Sequence, residues 1–136
     1  MTAKEYLQQY ENAHRVARKC RIEYEKELEL IDAIGSPLAG GGTPHGSGIS
    51  KKVENKAIRL ADKALELKQA ELEALRIRQE IFNVIRQVPG EEGDVLYERY
   101  INLKSWSEVA RVIGYSKSRT HGIHNEALKK IKVRTQ

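Results

Sequence analysis

Cysteine occurs once, at Cys20, so the chain cannot close an internal disulfide and nothing in it calls for an oxidising compartment. No run of about 18 apolar residues is present to span a membrane, and the N-terminal stretch has no apolar core of the kind that directs secretion. A cytoplasmic setting without membrane is the expectation. Proline is confined to Pro37, Pro44 and Pro89, which leaves long intervals where a helix can run unbroken. At 136 residues the chain suits one domain or two small ones, too little for a multi-layered enzyme.

Catalytic groupings are also lacking. The triplet Gly40-Gly41-Gly42 has neither the Lys-Ser/Thr end of a phosphate loop nor a strand before it. His14, His45, His121 and His124 have no cysteine pair beside them, and the i, i+3 spacing of His121 and His124 supplies one edge of a metal site at most. Glu23, Glu25, Glu27 and Glu29 alternate around a helix, as a solvated surface does. No catalysis, cofactor or metal is expected.

What the chain has is charge in one place. Residues 104–136 hold eight basic side chains against Glu108 and Glu126, a net charge of +6, whereas the other 103 residues hold 16 basic and 17 acidic groups. The whole-chain charge of +5 therefore belongs to the C-terminal part, which points to a polyanionic partner for it. A solvated basic tail is the plainer alternative.

Between Thr2 and about Ile34, apolar or aromatic residues recur in heptads: Ala3, Tyr10, Ala17, Tyr24 and Ile31, interleaved with Tyr6, Ala13, Cys20 and Ile34 and broken by Glu27. Thr2 with Glu5 forms a capping-box start. Residues 35–48 carry six of the ten glycines and two prolines, a flexible joint. Ser50 is the expected cap of a second helix that Pro89-Gly90 stops at about Val88. Along it Ile58, Ala61, Leu65, Leu72, Leu75 and Phe82 form one seam, with Leu60, Ala64, Leu67, Ala74, Ile81 and Ile85 beside it. That stripe is wide enough for a hairpin partner and for a further domain or subunit. Lys68 and Gln79 interrupt it, either to set register or because they lie at an exposed end.

After Pro89-Gly90-Glu91-Glu92-Gly93, Asp94 is the expected cap of a short helix to about Asn102. Ser105 with Glu108 makes a second capping box, opening a helix from Trp106 to Ile113. Gly114 suits the left-handed exit from that helix, and Ser116 caps the next one. The last helix turns Thr120, Ile123, Ala127, Leu128 and Ile131 inward. Its outer face near the start keeps Lys117, Ser118, Arg119, His121, Gly122 and Asn125, donors or small groups where recognition helices meet base edges. Arg119 is suited to guanine, Asn125 to adenine, and Lys117 and Lys129 to phosphates.

The expected fold is all-α: a long antiparallel helical hairpin over residues 1–88 (helices about 2–34 and 50–88), then a three-helix helix-turn-helix module over residues 94–136. The segment from Leu96-Tyr97-Glu98-Arg99-Tyr100 through Ile131 resembles the fourth region of bacterial sigma factors in Glu108-Val109-Ala110, Ile113-Gly114, Ser116 and Ala127-Leu128-Lys129-Lys130-Ile131. The order of helix, Gly-rich joint, helix, Arg99-Tyr100-Ile101, Ser105-Trp106, Gly114-Tyr115-Ser116 and His124 to Ala127-Leu128 is similar to small phage and prophage late-gene regulators of the ArpU and RinA kind. The resemblance implies a transcriptional regulator in a bacterial host cell that binds double-stranded DNA through Lys117, Ser118, Arg119, His121 and Gly122. The sigma pattern carries an aliphatic residue at the position of Thr120 and a larger polar residue at that of Gly122. RNA polymerase is an open second partner, and the hairpin is expected to make a homo-oligomer, a dimer in the first instance. The rival expectation is a small-terminase-like packaging protein that assembles as a ring.

Overall fold

The computed structural model describes residues 1–33 and 47–132, and every regular element among them is helical. Ile34, most of the Gly-rich joint with His45, and Arg134 lie outside the described residues. Thr2 opens α1 (Ala3–Leu7) through the expected reciprocal box: its hydroxyl accepts from the Glu5 amide, and the Glu5 carboxylate accepts from the Thr2 amide, both at 3.1 Å. Only Gln8 separates α1 from α2 (Gln9–Ala33), and its amide still donates to the Lys4 carbonyl, so the helical bonding passes almost unbroken through the join.

The next helix, α3, spans Ser47–Ile85 and so begins three residues ahead of the cap expected at Ser50. First-turn amides have no intrahelical partner in any case, which lets the helix take in the end of a segment poor in helix formers. It ends before Val88. The Val88 amide closes on the Ile85 carbonyl at 2.9 Å, and Pro89, without an amide, cannot extend the ladder. A second correction concerns Asp94. The following helix, α4 (Gly90–Leu96), starts from Pro89 in extended conformation, so Asp94 sits inside it and caps nothing. Glu91 and Glu92 in its first turn compensate the exposed amides through the helix dipole. α4 runs directly into a π-helical turn, Tyr97–Ile101, closed by the Asn102 amide on the Tyr97 carbonyl at 3.1 Å. α5 (Trp106–Ile113) and α6 (Lys117–Lys130) follow.

Contacts divide the chain into two units, one of residues 1–14 with the chain from Glu73 onward, the other Arg15–Leu72. The first unit therefore takes in much more than residues 94–136. Its core gathers Leu7, Ile81, Ile85 and Val88 with Leu96, Tyr100, Ile101, Ala127 and Ile131, and Tyr6, Tyr10 and Phe82 pack against it. Three short helices present too little apolar surface to close a core alone, and Leu7, Ile81 and Ile85 supply the rest. Each large aliphatic side chain fully enclosed in this way contributes about 1.5–3 kcal/mol.

The second unit consists of the remaining lengths of α2 and α3. On α2 the covered positions are 17, 20, 24, 27 and 31, alternating three and four apart as the heptads predict. Glu27 is half-buried there, with Oε2 enclosed and unpaired among the described residues. On α3 the covered positions are 56, 60, 63, 67 and 70, with 64 and 71 beside them, and Arg21 and Glu71 form an ion pair between the helices. The seam built on Leu60, Ala64 and Leu67 is thus the one covered. Ile58, Leu65 and Leu72, read from the sequence as a seam, stay exposed.

Candidate nucleic-acid interface

Local signals position α5 and α6 within the first unit. The Ser105 hydroxyl accepts from the Glu108 amide at 3.3 Å, the serine half of the expected box. Gly114 leaves α5 with φ of 87°, and the Gly114 and Tyr115 amides both donate to the Ala110 carbonyl, tightening the last turn. Two residues later Ser116 caps α6, its hydroxyl accepting from the Arg119 amide at 3.2 Å. Val109 and Ala110 on one side and Thr120 and Ala127 on the other are buried, so the two helices present apolar faces inward across a three-residue turn. Thr120 reconciles a polar residue with full burial by donating its hydroxyl to the Ser116 carbonyl at 2.8 Å.

The turn before α5 is held by side chains. Leu103 adopts a positive φ of 55°, which costs a non-glycine residue about 1–2 kcal/mol. Arg99 donates to the Lys104 carbonyl at 2.8 Å and lies 5.0 Å from the Trp106 ring, and Lys104 pairs with Glu98 at 2.6 Å. Together they fix where Ser105 begins its helix.

Beneath α6 lies an aromatic stack. The Tyr100 hydroxyl and His124 Nε2 share a hydrogen bond of 2.7 Å, and Trp106 meets both His124 and His121, the latter with ring centroids 4.3 Å apart. Burial pulls the His124 imidazole down to about 4, with Coulombic effects from Lys4, His121 and Arg99 acting in the same direction. Burial likewise pushes the Tyr100 phenol up to about 12. Both are uncharged at neutral pH.

All seven residues expected on the outer face, Lys117, Ser118, Arg119, His121, Gly122, Asn125 and Lys129, are exposed on α6. They differ in how firmly they are held. The Arg119 guanidinium lies 4.4 Å above the Tyr115 ring, and the Tyr115 hydroxyl donates to Glu91 at 2.7 Å, so α4 anchors the aromatic that supports the cation. His121 is backed by Trp106. Lys129 pairs with Glu126 at 3.0 Å on the solvent side, an interaction worth well under about 1 kcal/mol and readily exchanged for another anion. Lys130 instead reaches back to Glu92 at 2.7 Å. No acidic residue stands in the first turn of α6, so beyond the Ser116 cap on the Arg119 amide nothing there carries a charge that compensates the helix dipole.

Sequence reading missed Tyr115 as a support for Arg119, although the i, i+4 spacing of aromatic and cation was visible. The Trp106 ring is half-exposed and touches His121 as well as His124. A separate open cleft of about 270 Å³ lies between α4, the π-turn and α5, lined by Glu91, Asp94, Glu98, Tyr97, Val112 and Ile113. Its carboxylates make it the opposite of an anion site. Among the described residues no group of three or more His, Cys, Asp or Glu side chains is placed to hold a metal ion.

Gly122 has nothing within 4 Å of where a Cβ would stand. Gly122→Ala is therefore expected to stabilise the first unit by about 0.5–1 kcal/mol through helix propensity, read as a higher urea midpoint. An unchanged or lower midpoint would mean that α6 needs the glycine.

Compared with known proteins, the chain matches no family model, no curated protein and no solved structure.

Proposed function

We propose that this chain is a sequence-specific DNA-binding regulator of transcription, of the kind found in phages and prophages, with α5 and α6 as a sigma-region-4-like helix-turn-helix. The observation that carries the reading is the outer face of α6. There a basic, donor-rich N-terminal turn with no acid in it stands clear of the core, and Arg119 is held in place on Tyr115. In this reading the start of α6 enters the major groove. Arg119 meets a guanine edge, Asn125 an adenine, and Ser118 and His121 adjoin them. Gly122 permits close approach, and Lys117 and Lys129 contact phosphates. α2 and α3 serve association with another subunit or partner. RNA polymerase is a candidate second partner.

The test is selection of bound duplexes from a random pool, followed by titration of variants. Arg119→Ala is expected to cost about 1–3 kcal/mol on the selected site and to relax preference at one base pair. Lys117→Ala and Lys129→Ala are expected to weaken all duplexes alike, each lowering the salt slope by about 1. Should all three variants bind every duplex as the parent does, α6 is not the reading helix.

The exposed seam of α3 favours one second reading, a ring-forming packaging protein of the small-terminase kind. A mass of about eight or more subunits would select it over regulation.

A further inference from the structure

Several basic side chains of the first unit are engaged by its own carboxylates. Lys104 pairs with Glu98, Lys129 with Glu126 and Lys130 with Glu92. Arg119 is held differently. Among the described residues its guanidinium makes no ion pair, and it lies over the Tyr115 ring four residues before it. Attraction between a cation and a ring face consumes none of the five guanidinium N–H donors, whereas an ion pair consumes one or two. The ring is fixed at its far end, where the hydroxyl donates to Glu91 on α4. That bond has a second effect: the carboxylate beside the ring is taken up by the hydroxyl rather than by the guanidinium.

We propose that Tyr115 is the positioning residue for base reading by α6. It holds Arg119 through the ring and keeps Glu91 occupied, so the guanidinium meets a base edge already oriented and with every donor available. The proposal rests on reading α6 as the helix that enters DNA. A long side chain that is ordered before binding loses less freedom when it binds. Bidentate contact with a guanine edge depends on orientation, while a phosphate contact depends mainly on charge. The effect of Tyr115 therefore falls on preference between base pairs and leaves general affinity for duplexes nearly untouched. Tyr115 is half-buried and Glu91 exposed, so both positions accept substitution in a folded chain.

The experiment uses the full chain and three duplexes: the site selected from a random pool, the same site changed at the base pair that Arg119→Ala relaxes, and an unrelated sequence. Tyr115→Leu is expected to lower the preference between the first two roughly 3- to 10-fold, with the salt slope unchanged. Tyr115→Phe keeps the ring but releases Glu91, and is expected to lower the preference as well. Glu91→Gln retains an acceptor for the hydroxyl and is expected to match the parent. The paired Tyr115→Phe, Glu91→Gln variant is expected to recover most of what Tyr115→Phe loses, a rescue that a purely structural role would not give. Helical circular dichroism and the urea midpoint check that each variant is folded. Three results would each overturn the proposal: parental preference in Tyr115→Leu, no recovery in the paired variant, or a loss of selected-site affinity from Tyr115→Leu that persists undiminished in an Arg119→Ala background. If Arg119→Ala relaxes no base pair, the reading of α6 falls and this inference with it. If it relaxes one that Tyr115→Leu leaves intact, only the inference falls.

Discussion

Gly93→Ala is expected to destabilise the first unit by about 2–3 kcal/mol, a net figure in which overpacking outweighs the roughly 1 kcal/mol that alanine gains in helix propensity. A Cβ built on Gly93 would stand 2.1 Å from the Val88 carbonyl oxygen and 3.2 Å from its carbon. The obstruction is backbone, so no side-chain rotation relieves it. Either α4 lifts from the turn that ends α3, or Val88 leaves a core in which it is buried beside Ile85 and Leu96. Urea unfolding followed by Trp106 fluorescence reads the effect directly, since Trp106 reports on the aromatic stack under α6. A variant as stable as the parent would show that α4 does not approach residue 88 this closely.

The second large effect is in pH. His124 titrates at about 4 in the folded chain against an ordinary value near 6.5, so between those values the unfolded chain binds the extra proton. The stabilising contribution is complete above pH 6.5 and is lost as the pH falls through 4. Its full size is up to about 3 kcal/mol, at 1.36 kcal/mol per pKa unit. Lys4 from α1, Arg99 and His121 oppose the charged imidazole, and Tyr100, held neutral, offers no countercharge. Carboxylates titrate in the same acid range, Glu98 among them, which bonds from Lys104 and Asn102 hold below its ordinary value despite an opposing burial effect. The measurement is therefore a difference. In the paired Tyr100→Phe, His124→Phe variant, which replaces both partners with rings of similar shape, the loss of unfolding free energy between pH 7 and pH 4 is expected to be smaller than in the parent by about that amount. Equal slopes for parent and variant would mean that His124 is not held neutral by its surroundings.

Both effects turn on contacts that single-sequence reasoning reaches unevenly. α5, the Gly114 turn and α6 fall where Ser105, Gly114 and Ser116 place them, because caps and a left-handed glycine are signals read within four residues. The inward set Thr120, Ala127 and Ile131 follows from helical spacing in the same way. The start of α4 was hidden by competition between two plausible caps. Asp94 is the stronger residue type for the role, yet Pro89 and the acidic pair behind it begin the helix one turn earlier. Periodicity also shows that α3 has two stripes without saying which one its own chain covers, since that depends on what lies opposite. The enclosure of Leu7 by residues far along the chain, and the support of Arg119 by Tyr115 and Glu91, are tertiary facts of the same kind.

The core that joins Leu7 to Ala127 and Ile131 sets an order of events during synthesis. Leu7 leaves the ribosome well before Ala127 and Ile131, so the first unit cannot close until α6 has emerged. α2 and α3, with mostly local contacts, are free to form helix in the meantime. A nascent chain therefore carries its apolar rows exposed before α6 exists, and the face that holds Lys117, Arg119 and Lys129 takes shape only after α6 has emerged and found α1.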